Sequence, residues 1–259
     1  MSNIALSQTK RPENAAVRPA ASAQPVLVNW PALYRLSAAS ILAQLGLTVI
    51  IILVSTVLGL DAKPTTALDY FEMYAGDLGA AFLRDDFSSL IIIGLYLGLV
   101  PGLFGALRRD NPGLAALASV MAVVGVACGF ATHSGFSLYH LSGQYTAATT
   151  AAERAQIVAA GEAVLAANIW NSSGGYMAGI MLQGYGVILS LLMLRGSRFS
   201  KVTAIAGLLA NGLDLAQHLI HPFAPALAAS LLQIAGPFYL VWFPMLARDL
   251  LRLARRPVA

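Results

Sequence analysis

Charged residues are scarce in this chain, and their scarcity decides its class. Only 11% of its 259 residues are Asp, Glu, Lys or Arg, whereas an average soluble domain has about 25%. Hydrophobic residues make up 58% of the sequence. The composition argues against an ordinary soluble domain and predicts an integral membrane protein whose main partners are membrane lipids.

Cysteine is almost absent, since Cys128 is the single one and lies in an apolar segment. A disulfide framework and a cysteine metal cluster are therefore excluded. The sequence also lacks a phosphate-binding glycine loop, a Gly-x-Ser-x-Gly elbow and a nucleic-acid-binding signature. Because the net charge of +4 is spread around apolar segments, we expect no nucleic-acid partner.

Long apolar runs dominate what is present. Six of them approach the roughly 20 residues that an α-helix needs to cross about 30 Å of hydrocarbon. They predict an all-α, polytopic bundle of six transmembrane helices. The segments are placed at about 36 to 60, 88 to 107, 113 to 138, 174 to 194, 202 to 221 and 226 to 247.

The basic residues predict the orientation of this bundle. Thirteen of the 16 lie in the N-terminal tail or at segment ends on one side, and only Lys63, Arg84 and Arg154 fall on the other. Cytoplasmic loops of membrane proteins carry an excess of Lys and Arg. Both termini are therefore predicted to be cytoplasmic.

The predicted organisation is a disordered tail at 1–26 followed by one transmembrane domain at 27–256. Two extracytoplasmic connections, at about 61–87 and 141–170, are predicted to contain helices. In the first, apolar residues recur at helical spacing, namely Leu68, Phe71, Ala75, Leu78 and Phe82. In the second, Thr150 and Glu153 form a capping-box signature for a helix that runs to about Asn168.

The second connection carries a resemblance to a known family. The run LSGQYTAATTAAER at 141–154 continues as AAGEAVLA at 159–166, with looser similarity at 193–195, 199–201 and 240–242. These residues resemble a bacterial multi-span membrane family, domain of unknown function 4386. The resemblance implies a helical protein of the bacterial inner (plasma) membrane without an assigned activity, and the four histidines lie outside it.

The fifth segment contains a polar stripe, which we define as Asn211, Asp214, Gln217, His218 and His221. At about 100° per residue these side chains share roughly a third of the helix circumference. An ionisable residue inside a bilayer costs about 2.5 to 3.5 kcal/mol on insertion scales, so it marks a candidate functional site. Asp214 is the candidate catalytic residue if the protein is an enzyme.

The third segment supplies a second set, His133, Ser137 and His140, at spacings of four and three residues. Counted at 1.5 Å per residue, His133 lies about 30 Å and His218 about 24 Å from the cytoplasmic side. All four histidines then fall in one layer near the outer leaflet. This predicts a polar site between the third and fifth segments.

Three interpretations of these residues remain open. First, Asp214, His218 and His221 with His133 or His140 bind zinc and make a metal-dependent intramembrane hydrolase of lipid-like substrates. Second, Asp214, His218, Asn211, Gln217 and Ser137 bind a small lipophilic ligand or translocate protons. Third, the polar contacts are purely structural. A haem held by histidines of two helices is a further variant.

Glycine and proline positions add two expectations. Gly94, Gly98, Gly102 and Gly105 are spaced three or four residues apart along the second segment and predict close helix packing. Pro101, Pro237 and Pro244 are placed where a kink would open a cavity between helices.

Overall fold

The computed structural model describes residues 28–57, 64–76, 78–79, 81, 87–168 and 171–255. The described chain is helical, and no strand occurs in it. Its helices are α1 (Trp30–Val57), α2 (Ala67–Ala75), α3 (Phe87–Leu107), α4 (Pro112–Ala131), α5 (Gly135–Ala147), α6 (Ala151–Ala166), α7 (Ser173–Arg195), α8 (Lys201–Ile220) and α9 (Pro225–Ala254). The predicted tail at 1–26 and Lys63, Arg84 and Arg256 lie outside the described residues.

Five spans are long and apolar enough to cross a membrane, by length and composition, within the described chain. They comprise α1, α3, α4 continued by α5, α7 and α9. This finding confirms the helical class and gives five candidate spans for a membrane protein, which would bring those helices into contact with lipid. The sixth predicted segment forms α8, but α8 is not among the five, because its polar stripe lowers its apolar content.

The long helices form a closed ring. Contacts run from α1 to α3, α3 to α4, α4 to α7, α7 to α8, α8 to α9 and from α9 back to α1. Large buried side chains of α3, α7 and α9 make much of the core, including Leu103, Tyr185, Leu189, Trp242 and Leu246. The ring thus encloses one core, and α8 lies between α7 and α9.

The glycines of α3 allow α1 to approach closely, as predicted. A Cβ atom added at Gly98 would overlap Ser40, and one added at Gly102 would overlap Ser37. The Ser37 hydroxyl donates to the carbonyl oxygen of Gly98 at 2.7 Å and accepts from the amide of Gly102 at 3.1 Å. Small residues on one helix therefore receive small hydroxyl side chains from the other.

The connecting helices pack together as a small cluster of α2, α5 and α6. The capping box at Thr150 and Glu153 is present, and α6 runs from Ala151 to Ala166, which confirms the predicted start. Hydrogen bonds from Thr150 and Thr149 hold the pKa of Glu153 below its usual range. Across the cluster, Glu162 accepts a hydrogen bond from the first amide of α2, that of Ala67, at 2.7 Å.

The buried face of α2 differs from the predicted one. Tyr70, Phe71 and Tyr74 are buried, whereas Leu68 and Leu78 are exposed. The aromatic rings turn inward because they meet α5, where Tyr74 and Tyr139 pack edge to face with ring centroids 5.6 Å apart. Phe82 lies outside the described residues.

The third predicted segment is interrupted, which corrects the expectation of one helical face for His133, Ser137 and His140. α4 ends at Ala131, the chain turns through 132–134, and α5 begins at Gly135. The amide of Gly135 donates to Nδ1 of His133 at 3.3 Å. The break separates His133 from the two residues on α5, and Ser137 and His140 are exposed there.

Candidate functional site

The candidate site is built around Asp214 on α8, at the interface with α7 and α9. One of its carboxylate oxygens, Oδ2, accepts a hydrogen bond from the hydroxyl of Tyr239 on α9 at 2.8 Å. The same hydroxyl lies 2.9 Å from Oε1 of Gln183 on α7. Residues of three helices therefore meet at one phenol, and Asp214 is only 7% exposed.

His218 lies one turn further along α8. Its Nδ1 is 2.9 Å from the backbone oxygen of Asp214 and 3.2 Å from carboxylate oxygen Oδ1. Nδ1 carries at most one proton, and the nearer backbone oxygen takes most of that hydrogen bond. Oδ1 has an imidazole neighbour, but it is buried without a well-formed hydrogen bond.

The phenol of Tyr239 has two partners but one proton. It donates to Asp214 or to Gln183, because both contacts are made to oxygen atoms. Turning the Gln183 amide by 180° lets its NH₂ group donate to Tyr239 while Tyr239 donates to Asp214. That arrangement links the three groups through two hydrogen bonds, and it gives oxygen Oδ2 of the carboxylate one firm donor.

Glycines on α7 bring the polar stripe close to that helix. The ring of His218 occupies the space where Gly179 would carry a Cβ atom, and the amide of Asn211 occupies the corresponding space at Gly186. The step of seven residues on α7 matches the step of seven on α8. The two helices are thus antiparallel in one register, with Gln183 and Asp214 at the same level.

The other stripe residues have different surroundings. Asn211 is 1% exposed and donates to the backbone oxygen of Gly207 at 2.8 Å. Gln217 is buried, and its Oε1 has no hydrogen-bond partner among the described residues. His221 ends α8 and lines an open cleft of about 520 Å³ together with residues at the start of α7, among them Ser172, Tyr176 and Met177.

The predicted position of the site, between the third and fifth segments, is corrected by these contacts. α8 packs on α7 and α9, and α7 separates it from α4. His133 contacts the α3 side, with Nε2 3.5 Å from the hydroxyl of Ser89. His140 lies 3.0 Å from the amide of Gln144 on its own helix. The small residues of α7, which admit α8, are the physical reason for this arrangement.

The zinc hypothesis finds no support in this geometry. Within the described part of the chain, which includes all four histidines and Asp214, no group of three or more His, Cys, Asp or Glu residues is placed to hold a metal ion. The site brings together Asp214 and His218 with Tyr239 and Gln183. Tyr239 and Gln183 were not predicted from the sequence, although Gln183 is recognisable there as a lone amide within an apolar segment.

No family model, curated protein or solved structure matches this chain. The resemblance carried by residues 141–166 therefore stays a prediction. The composition and structure of the chain show a helical protein, apolar enough to span a membrane, in which a buried carboxylate contacts an imidazole and a phenol.

Proposed function

We propose that this chain is an integral membrane protein that binds and releases a proton at the Asp214 and His218 pair. The observation that carries the proposal is the state of Asp214 Oδ1, which is buried, lies 3.2 Å from an imidazole nitrogen and lacks a well-formed hydrogen bond. A proton on either group changes the charge of a site from which water is largely excluded.

The chemistry of the pair favours proton exchange over a static contact. A buried carboxylate without a counter-charge carries a desolvation penalty of several kcal/mol, which a proton on either partner removes. The two groups are close enough to share one proton, since Nδ1 of His218 lies 3.2 Å from Oδ1 of Asp214. Tyr239 supports the ionised carboxylate by donating to Oδ2. One proton can therefore reside at the pair in two forms, as a neutral pair or as an ion pair.

The proposal includes a six-span topology with both termini cytoplasmic, in a bacterial inner membrane. α8 has 20 residues, which corresponds to about 30 Å of rise. It runs antiparallel to α7 over most of that length, and both of its neighbours are apolar enough to span. Membrane proteins place ionisable residues toward the bundle interior, as α8 places Asp214.

The test is infrared difference spectroscopy of the purified protein in lipid nanodiscs during acid titration. We expect a protonated-carboxyl band that is lost in Asp214→Asn and displaced in Tyr239→Phe, because the phenol no longer donates to Oδ2. Asp110→Asn, which changes an exposed aspartate, is the control and should retain the band. A wild-type spectrum in which no carboxyl band depends on Asp214 would reject the proposal.

A second candidate function, binding of a lipophilic ligand, is favoured by the cleft beside His221. The cleft is lined by Met177, Pro222 and Pro225 together with polar groups of Asn171, Ser172 and Ser173. This mixture suits an amphiphile that has one polar end. A photoactivatable fatty acid should label peptides around 171–177, and Met177→Trp should reduce the labelling by filling the cleft.

Leu191→Trp is the control for that experiment, because it adds the same ring at an exposed position of α7. Equal labelling of the two tryptophan variants would show that the fatty acid contacts α7 from the bilayer and does not enter the cleft.

A further inference from the structure

Polar and small residues continue along α8 beyond the candidate site, toward the end where α8 begins. One face carries, in order, Ser200, Thr203, Gly207, Asn211, Asp214, His218 and His221. Successive members are three or four residues apart, so no step along the helix axis exceeds about 6 Å. Opposite this face, α7 places Gly179, Gln183, Gly186 and Ser190. We call the two faces together the α7–α8 seam.

A second buried carboxylate stands at the far end of the seam. Asp249 of α9 is 2% exposed, and its Oδ2 accepts from the hydroxyl of Thr203 at 2.6 Å and from the amide of Ser200 at 2.9 Å. Its Oδ1 faces the solvent-exposed guanidinium groups of Arg248 at 3.0 Å and Arg252 at 3.7 Å. Asp249 therefore joins the seam to a basic, water-exposed surface.

The middle of the seam is narrow and polar. Gly207 has no side chain, and the space beside it is taken by Nε1 of Trp242 and by the hydroxyl of Ser190. That hydroxyl donates to the backbone oxygen of Gly186 at 2.7 Å. The indole N–H is buried and has no hydrogen-bond partner among the described residues.

Orphan polar atoms recur along the bundle. Besides the indole of Trp242, the buried atoms Oη of Tyr185 and Oε1 of Gln217 lack hydrogen-bond partners in the described chain. A buried polar atom that stays unsatisfied is unfavourable, and buried waters commonly satisfy atoms of this kind.

From this arrangement we propose that the α7–α8 seam is a proton pathway that continues from Asp214 past Gly207 to Asp249. The proposal rests on the proposed proton binding at Asp214 and extends it. Thr203 and Ser190 are positioning residues that hold hydrogen-bonded water in the pathway, and Asp249 is its second proton-binding station.

Water carries the proton between the two carboxylates. A proton that enters at the His221 end passes from the imidazole of His218 to the carboxylate of Asp214. It then moves through water of the seam between the levels of Asp214 and Asp249, and each water releases one proton as it gains another. The carboxylate of Asp249 receives the proton and releases it to bulk water beside Arg248.

The titratable and charged groups that face the two stations come from several helices. Asp214 faces His218 on its own helix and Tyr239 on α9, and Tyr96 on α3 lies within electrostatic range of its carboxylate. Asp249 faces Arg248 and Arg252 on α9. The guanidinium groups favour an ionised Asp249, so a proton that arrives from Asp214 is held only briefly and is released to bulk water.

The experiment measures proton flux into liposomes that hold the full chain and a trapped pH-sensitive dye, driven by a valinomycin potassium potential. Thr203→Val keeps the shape of the side chain and removes the hydroxyl that contacts Asp249, while Ser190→Ala removes the hydroxyl beside Gly207. We expect each to lower the flux by about 10²-fold, the lower end of what a positioned proton-transfer group contributes. Asp214→Asn should abolish it.

Gly212→Ala is the matched control, because it adds a methyl group to α8 where no atom lies within 4 Å. Its flux should equal that of the wild type. Wild-type flux that survives Thr203→Val and Ser190→Ala would overturn the pathway, as would wild-type flux no greater than that of protein-free liposomes. If the infrared band of Asp214 persists in that case, the proton-binding site stands and only the pathway fails.

Discussion

At the scale of single residues, the phenol of Tyr239 is the group that ties Asp214 to the neighbouring helices. Tyr239→Phe removes the hydroxyl that lies 2.8 Å from Oδ2 and 2.9 Å from Gln183. A hydrogen bond to a charged group contributes about 1.5 to 3 kcal/mol, so the free energy of unfolding should fall by that amount. Equilibrium unfolding in mixed micelles measures the change.

Tyr139→Phe is the control for this substitution, since Tyr139 is exposed and keeps its ring contact with Tyr74 in the variant. Its unfolding free energy should stay within about 0.5 kcal/mol of the wild type, as for most surface substitutions. Equal losses in the two variants would contradict a special role for the Tyr239 hydroxyl.

Gly179 sets the position of His218. An alanine methyl group at this site would overlap the imidazole ring, so Gly179→Ala must displace the ring or separate α7 from α8. Overpacking of this kind costs about 1 to 3 kcal/mol. We expect lower thermal stability in nanodiscs and a changed titration of the Asp214 infrared band.

Gly143→Ala provides the comparison, because no atom lies within 4 Å of the added methyl group. Replacement of an exposed helical glycine by alanine stabilises by up to about 1 kcal/mol. A Gly179→Ala protein as stable as Gly143→Ala would show that His218 has room to move freely.

The residues of the candidate site were partly predictable from the sequence. Asp214, His218 and Asn211 could be predicted as site residues because they are polar groups within an apolar segment, where burial in lipid carries a large free-energy penalty. Tyr239 could not be predicted, since a tyrosine in an apolar run is equally suited to a core or an interface. Gly179 was unpredictable as a contact of His218, because its importance lies in the register of two helices.

At the scale of the helix, the capping box of α6 gives a pH-dependent prediction. Glu153 accepts hydrogen bonds from the amides of Thr149 and Thr150, and these lower its pKa in the folded protein. A group with a lowered folded-state pKa adds stability above its unfolded-state pKa and loses it as the pH falls through the folded-state value. The first turn of α6 should therefore fray in acid.

Amide hydrogen exchange of residues 151–154, corrected for the intrinsic pH dependence, measures that fraying. Glu153→Gln should exchange at a nearly constant corrected rate, because glutamine keeps the capping geometry without titrating. Fraying that follows the same pH curve in both proteins would assign the effect to another group.

The break between α4 and α5 shows the limit of spacing arguments at this scale. His133, Ser137 and His140 fit a helical period, yet the chain turns at 132–134 and resumes its helix at Gly135. The spacing of these three residues does not show whether the helix between them is continuous. The side chain of His133 accepts a hydrogen bond from the amide of Gly135, and local contacts of this kind compete with helix propagation.

At the scale of the whole molecule, the antiparallel run of α8 beside α7 predicts which turns share a side. The turn before α8 contains Ser197 and the turn after it contains Phe223, and both residues are exposed. If α8 crosses the membrane, these residues lie on opposite faces. In a Cys128→Ala background, an impermeant maleimide should label Phe223→Cys in intact cells and Ser197→Cys only after permeabilisation.

Labelling of both cysteines in intact cells would show that the two ends of α8 lie on the same side of the membrane, and it would reject the six-span topology. Gly143→Cys serves as the control for the outer side, since Gly143 is exposed and lies in the predicted extracytoplasmic connection at about 141–170.

The helical class and five candidate spans could be predicted from the long apolar runs, because an apolar run of that length is typical of a membrane-spanning helix. The order of the helices around the ring could not be predicted from the sequence. It depends on which small residues face which neighbours, as Gly98 faces Ser40 and Gly186 faces Asn211. Such pairings belong to two distant segments and leave no trace in the spacing of either.

Closure of the ring between α1 and α9 has a consequence for how the protein is made. Among the described helices, α1 is translated first and its ring neighbour α9 is translated last. Until α9 has been made, the flank of α1 that α9 later covers has no helix against it. The ring therefore closes only once α9 is present, and a variant that lacks α9 would expose the inward flanks of both α1 and α8.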